Sequence, residues 1–286
     1  GGRTGLLIGH NHRWAALQFA MIQSRPKPQR RATPEHSLAY AWRIPPKRCA
    51  RRVDINPEID LSVIATTLAS RGRVQIHDFA SAESAKALHD LLQQHDDWYL
   101  SYNEGPDNFE TSEAEFAALT MEQKHRFTAG VYRRARSGFQ YLFKQYYISQ
   151  AVDSGENQGH PMHAVQEWVT GENFLGLMRY VTGRDDIRTS DSYASLYGPG
   201  HFLTRHDDRH PTHQRIAAWV LSMTPEWDEN WGGHLAFYDE AGNVVEALKP
   251  AFNTLNLFTV PQQHSVQLVT PFAGAPRTSY LGWLLA

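Results

Sequence analysis

Two side chains able to hold a metal stand two residues apart in Arg205-His206-Asp207-Asp208-Arg209. On an extended strand that spacing points His206 and Asp208 to one face. A second histidine would complete a two-His-one-carboxylate set, which leaves positions open on iron. Asp207, by the same alternation, points away and reads as a bystander. The chain has 15 histidines, and His264 is the best third ligand. It opens a strand-like stretch in which His264, Val266 and Leu268 share a face. That parity turns the imidazole inward among apolar neighbours, where it needs a partner. His210 and His213 lie in a polar loop and read as solvated. His201 is out of parity with His206, and His160, His163 and His234 have no carboxylate at strand spacing.

A second feature that calls for a ligand lies at the end of the chain. In Arg277-Thr-Ser279-Tyr-Leu281-Gly-Trp283, alternate residues put Arg277, Ser279, Leu281 and Trp283 on one face. A buried guanidinium without a partner is costly. Something anionic should meet Arg277. Either a ligand carboxylate is gripped by its fork, with the Ser279 hydroxyl beside it, or an internal Asp or Glu pairs with it.

The elements that must position these groups are legible in outline. A helix is predicted from Asn56-Pro57-Glu58 to Gly72, with Ile59, Val63, Ile64 and Leu68 on its inner face. A strand follows over 73–79, then a helix capped by Ser81 that buries Ala85, Leu88, Leu91 and Leu92. Residues 98–112 read as loop or short strand, and Ser112 to Arg136 as one long helical stretch. The aromatic run Phe139–Tyr147 reads as core, 151–161 as a surface loop, and 161–170 and 172–181 as helices. From Arg188 the texture changes to short strands near 188–197, 201–207, 214–223, 233–239, 244–248, 254–260, 264–269 and 277–285. Helices followed by eight strands predict an α+β chain whose C-terminal half is a sandwich or barrel of the jelly-roll kind.

The chain has 286 residues and a net charge of −2 that conceals an asymmetry. Residues 1–52 hold 11 Lys/Arg and one acid, leaving 17 Lys/Arg and 29 acids in 53–286. This is a basic, Pro-containing arm on an acidic domain. The arm, with a short helix expected near Trp14–Ile22, is either a tether for nucleic acid, ribosome or another acidic surface, or a non-native or transit-like leader. The one cysteine, Cys49, lies in the arm. The domain therefore has no disulfide and no Cys-ligated metal, which fits a reducing cytoplasm. No apolar run approaches the roughly 18 residues of a membrane span.

Larger segments now join these residues. They are Tyr197-Gly-Pro-Gly-His-Phe-Leu-Thr-Arg-His206-Asp-Asp208, Leu221-Ser-Met-Thr-Pro-Glu-Trp227 and Trp231-Gly-Gly-His-Leu-Ala-Phe-Tyr238. Phe252-Asn-Thr-Leu-Asn-Leu-Phe258, Val260-Pro-Gln-Gln-His264-Ser-Val266 and Arg277-Thr-Ser279 with Gly282-Trp283 complete them. Together they resemble the iron(II)- and 2-oxoglutarate-dependent oxygenases. The closer resemblance is to the prolyl-hydroxylase-like branch, which includes the hypoxia-factor type enzymes and the yeast ribosomal-protein group with its bacterial relatives. It spans roughly 190–286, more weakly back to 53, and implies a double-stranded β-helix (jelly roll) with N-terminal helices packed on it.

The resemblance implies that His206, Asp208 and His264 hold iron(II). It implies that the far carboxylate of 2-oxoglutarate pairs with Arg277, helped by Ser279, and that Tyr197 lines that pocket and Trp283 lies near the iron. In animal enzymes a tyrosine supports the far carboxylate; Ser222 aligns with it here, and either Ser222 or another residue replaces that contact. Arg205 and Arg209 either face substrate or are solvated, and the Trp227–Trp231 loop either covers the site or plugs the end of the sandwich. The implied reaction uses dioxygen, with ascorbate as an accessory reductant, and hydroxylates a prolyl residue of a protein or peptide. The alternatives are the same chemistry on a free amino acid or metabolite, and a non-enzymatic metal-binding jelly roll.

Overall fold

The computed structural model describes residues 53–286. The basic arm and the helix expected near Trp14–Ile22 lie outside the described residues. Helix α1, Leu61–Arg71, begins where the Asp60 carboxylate accepts from the backbone N–H groups of Ser62 and Val63. Asn56 Oδ1 instead accepts from the Glu58 N–H in a turn, so the helix starts four residues after Pro57. Ile64 and Leu68, one helical turn apart, are buried, whereas Val63 is 58% exposed and leaves the expected face. Strand β1, Arg73–Ile76, is shorter than expected. Helix α2, Ala82–Gln94, is capped by Ser81 and buries Ala85, Leu88 and Leu92.

Residues 98–112 form a hairpin, β2 (Tyr99–Glu104) and β3 (Asp107–Ser112). It turns at Gly105, whose φ of 62° suits a residue without Cβ. The long stretch after Ser112 is two helices, α3 (Glu113–Ala117) and α4 (Met121–Ala135). Hydrophobic periodicity runs through both. The break is set by Thr120 and Gln123, which form a second capping box after that of Ser112 and Glu115. Strand β4 (Tyr141–Tyr146) follows. Helix α5 (Ile148–Ser154) takes the first part of the expected loop, because Ile148 and Ala151 pack inward. Helices α6 (His163–Val169) and α7 (Glu172–Thr182) complete the helical layer.

The remaining strands are β5 (Thr189–Ser190), β6 (Tyr193–Tyr197), β7 (Phe202–His206), β8 (Arg215–Ser222), β9 (Leu235–Tyr238), β10 (Val244–Leu248), β11 (Thr254–Thr259), β12 (His264–Val266) and β13 (Arg277–Leu285). The first expected strand is thus split at Asp191–Ser192. Strand β12 stops before Leu268, which is 46% exposed rather than sharing the inner face of His264. The strands pair in the order β1-β11-β8-β13-β6-β4-β7-β12-β9-β10, each pairing antiparallel. The sheet turns over where β4 passes from β6 to β7, so β7-β12-β9-β10 forms a second wall facing the first. Its two ends meet through side chains, with Arg71 Nη2 2.7 Å from Glu246 and Arg73 on the same carboxylate. This nearly closed pair of walls is the expected jelly roll.

Alternation along β13 divides the molecule. Tyr280 and Leu284 face the helices, where they join Leu88, Phe174, Trp219, Leu221 and Leu257 in the main apolar core. The Tyr280 hydroxyl donates to the Leu88 carbonyl at 2.9 Å, which pins α2 to the sheet. The other face of β13 looks into the space between the walls.

Candidate active site

His206 and His264 are direct cross-strand partners at the ends of β7 and β12, and their ring centroids are 4.1 Å apart. Each ring is oriented by its own backbone. His206 Nδ1 lies 2.9 Å from the Thr204 carbonyl and His264 Nδ1 2.8 Å from that of Gln262. An Nδ1–H donated to a carbonyl fixes the tautomer and leaves Nε2 as a free lone pair, the usual outer support of a metal-bound histidine. Both Nε2 atoms face Asp208. His206 Nε2 is 3.3 Å from Oδ1, and His264 Nε2 is 3.4 Å from Oδ2.

Asp208 reaches this position by a different route from strand alternation. It lies beyond the end of β7 with φ at 63°, a left-handed backbone that aspartate tolerates better than most residues. That turn swings the carboxylate back between the two rings. Asp207 is left outside, where its Oδ2 accepts from Arg209 Nε at 2.8 Å.

Burial pushes the Asp208 carboxyl up, but the His206 hydrogen bond and the His264 ring outweigh it and bring it down to about 2. Burial, and then the neighbouring His206, pull the His264 imidazole down to about 4. At neutral pH the trio therefore offers one carboxylate and an unprotonated His264. The three ligand atoms lie within 4.8 Å of one another. This donor set suits a divalent transition metal and leaves several coordination positions free.

A cavity of about 530 Å³ runs between the walls from this trio to Arg277. Arg277 is 4% exposed, and its Nε and Nη1 have no hydrogen-bond partner. No carboxylate among the described residues pairs with it. Its guanidinium lies 5.3 Å from the centroid of the Tyr197 ring, which stacks in turn on Phe143 at 4.8 Å. Burial pulls the Arg277 pKa below the ordinary arginine value. The Ser279 hydroxyl is likewise buried and unpartnered, and so is that of Ser222. Buried native donors are almost always satisfied. A cluster of orphaned ones beside a cavity is what an absent carboxylate would leave, so these residues fit the far end of 2-oxoglutarate as the trio fits iron(II).

Trp283 lines the cavity, where its indole N–H is directed at the Asp208 carboxylate and helps to hold it low. Arg205 lies apart from these residues. It is exposed, donates to Gln263 at 2.7 Å and sits 5.7 Å from the Tyr238 ring, beside a separate outer cavity. The Trp227–Trp231 loop plugs the sandwich. Trp227 packs on Val266 and Val269, and its indole donates to the Gly232 carbonyl at 2.9 Å.

Two parts of the cavity wall escaped the sequence reading. One is the aromatic run, of which Phe139, Tyr141, Phe143 and Tyr147 line the cavity. Their odd-numbered alternation against Leu142 and Tyr146 was the available signal. The other is Arg215. Its guanidinium lies 3.5 Å from the centroid of the Trp283 ring, and Nη1 donates to the Asp208 carbonyl at 3.1 Å. No local pattern marks it, because both partners come from distant segments.

The profile of the 2OG-Fe(II) oxygenase superfamily matches residues 192–285. Prolyl 3-hydroxylase OGFOD1 of Mus musculus is 28% identical over 144 residues, 48% of this chain and 26% of that protein. The Xenopus laevis protein of the same name is also 28% identical over 144 residues, 28% of its length. The aligned part is thus little more than a quarter of these curated relatives. Among solved structures, a prolyl hydroxylase from Trichoplax adhaerens, in complex with a hypoxia inducible factor peptide fragment, superposes with a TM-score of 0.52 at 17% identity. The match covers 79% of this chain and 88% of that one. A 2OG-Fe(II) oxygenase family oxidoreductase from Burkholderia pseudomallei gives 0.51 at 12% identity, over 81% and 94%. At these identities the structures speak for the fold alone.

Proposed function

We propose that this chain, whose residues 192–285 match the 2OG-Fe(II) oxygenase superfamily, is an iron(II)- and 2-oxoglutarate-dependent dioxygenase hydroxylating a prolyl residue of a protein. The observation that carries the reading is the meeting of His206, Asp208 and His264 with the unpaired Arg277 in one cavity. Bound iron and 2-oxoglutarate would supply the oxidising chemistry, in which dioxygen is reduced as the oxo acid loses carbon dioxide and becomes succinate.

The chain's own residues bind, orient and exclude. His206, Asp208 and His264 hold the metal from one side and leave the cavity side open. Arg277 and Ser279 fix the far carboxylate, and Tyr197 walls that end. The apolar side chains of Val220, Leu235, Val266 and Leu281 line the space between and keep water out. On the other side the cavity lining reaches Phe139, which is 49% exposed, and Arg209 and His210. An opening there suits a protein chain. Tyr147 and Tyr193 stack at 5.5 Å, and Tyr193 lies 5.7 Å from Trp283. Aromatic walls of this kind suit a prolyl ring, as aromatic-lined grooves receive Pro-rich segments elsewhere.

The test is 2-oxoglutarate turnover with iron(II) and ascorbate, with and without a pool of candidate proteins, followed by mass spectrometry for an oxygen-atom gain on proline. Succinate that depends on His206, with oxygen on a prolyl residue, supports the proposal. No succinate from the wild type, or equal succinate from His206→Ala, refutes the dioxygenase. Oxygen only on a free amino acid refutes the prolyl substrate.

A further inference from the structure

Arg205 stands next to His206 on β7, yet the chemistry above has no use for it. Neighbours on a strand project to opposite faces. His206 faces the inner cavity, and Arg205 faces out. There it lines a second cavity, of about 740 Å³, on the outer side of the same wall. The floor is formed by Ala135, Phe202, Leu203, Val266 and Leu268. Leu203 and Val266 also line the inner cavity, so a single layer of strands separates the two.

A cleft of this size with an apolar floor is the form that binding sites take. The floor is partly bare, since Leu268 is 46% exposed and Tyr132, at its edge, 39%. The charges of the lining all have one sign. Arg136, just past the end of α4, and Arg205 are both exposed, and no Asp or Glu lines the cleft. The Arg205 guanidinium meets the Gln263 side chain and the Tyr238 ring, and neither arginine is paired with a carboxylate among the described residues. Residues 53–286 carry 17 Lys/Arg against 29 acids, a net of −12. Two arginines without an acid run against that balance and call for an occupant with carboxylates. The bare aliphatic floor calls for apolar side chains between them. A nucleic acid would need more cations than two and would meet the repulsion of the acidic domain.

A ridge of side chains joins this cleft to the mouth of the inner cavity. Arg209, which lines that mouth, donates to Asp207 Oδ2 at 2.8 Å. Gln263 donates to the same oxygen at 3.4 Å and accepts from Arg205 at 2.7 Å. On the other side, Phe139 of the mouth follows Arg136 by three residues. A polypeptide leaving the mouth reaches the cleft within a few residues.

Resting on the protein-substrate reading above, we propose that the outer cleft is a docking surface for an acidic, apolar-anchored segment of the substrate protein. Arg136 and Arg205 meet its carboxylates, and Leu268 and Phe202 receive its apolar side chain, while the neighbouring prolyl segment enters the inner cavity.

The test begins with binding. Fluorescein-labelled probes are titrated by anisotropy with the full chain loaded with Mn(II) and 2-oxoglutarate. One short peptide alternates glutamate and leucine, a second lysine and leucine, a third glutamate and serine, and the fourth probe is an oligouridylate. The glutamate–leucine peptide should bind most tightly, and salt should weaken it. Arg136→Ala/Arg205→Ala should weaken it about tenfold, the scale of two exposed ion pairs, and Leu268→Ser should weaken it as well. Arg136→Glu/Arg205→Glu should reverse the preference toward the lysine–leucine peptide, which misfolding would not do. Equal affinity for the acidic and basic peptides, an unchanged affinity in Arg136→Ala/Arg205→Ala, or tighter binding of the oligouridylate overturns the proposal. In the turnover assay with the protein pool, Arg136→Ala/Arg205→Ala should lower protein-dependent succinate and leave succinate formed without protein unchanged. Equal protein-dependent succinate from both overturns the assignment of the cleft to the substrate. No protein-dependent succinate from the wild type refutes the protein-substrate reading itself, a result separate from the peptide titration.

Discussion

Replacing Arg277 by methionine should make the ligand-free protein more stable and the co-substrate site worse. Nε and Nη1 of Arg277 are buried without partners. Each such donor costs about 1–3 kcal/mol, so their removal relieves roughly 2–6 kcal/mol. Against this stands the contact with the Tyr197 ring at 5.3 Å, where a desolvated cation contributes about 0.5–2 kcal/mol. Methionine keeps most of the stem volume and fills irregular gaps. The difference is a net gain of about 0–5 kcal/mol, in line with the gain often seen when buried charges give way to apolar residues. For a domain of this size that raises the thermal midpoint by roughly 2–4 °C per kcal/mol. In the same variant 2-oxoglutarate should lose about 100-fold or more in affinity and should no longer raise the midpoint of the Mn(II)-loaded chain. Paired thermal scans with and without the oxo acid read both effects. A midpoint that falls in the absence of ligand would refute the reasoning, because it would mean that the guanidinium is satisfied within the protein.

Three other substitutions divide the roles around the trio. Asp208→Asn should weaken Mn(II) binding more than tenfold while Asp207→Asn leaves it within about twofold, and calorimetric titration would expose a reversed order. Arg215→Ala should weaken Mn(II) binding about three- to tenfold through loss of the bond that holds the left-handed Asp208 backbone, whereas Arg277→Met should not; identical metal affinity in Arg215→Ala contradicts that support. Burial brings His201 down to about 4, so between pH 6.5 and 4 the unfolded chain binds one proton more than the folded one. Stability from this group is complete above pH 6.5 and is lost as pH falls through 4, by up to about 1.4 kcal/mol per pH unit. His264 adds a like slope in the metal-free protein. Urea titrations across that range should therefore find His201→Gln less steep than wild type, and an unchanged slope would contradict the assignment.

The sequence by itself determined the strand-rich half and its inner faces. The alternation in β13 and the opening of β12 at His264 are properties of a two-residue repeat, and such a repeat is written in consecutive residues. Helices with strong caps were legible for the same reason, as Ser81 shows. Where a second local signal cut across the first, the reading slipped. Thr120 and Gln123 divide what hydrophobic spacing alone would continue, and Asp60 displaces the start suggested by Pro57.

Tertiary structure alone decided how the cavity is furnished. Asp208 joins the histidines through a left-handed turn rather than strand parity. Arg215 enters because β8 lies beside β13, and the aromatic run becomes wall because β4 bridges the two halves of the sheet. Ser222, Ser279 and Ser195 come level only through register. Register and closure depend on which strands meet across long stretches of chain, and no window of neighbouring residues contains that information.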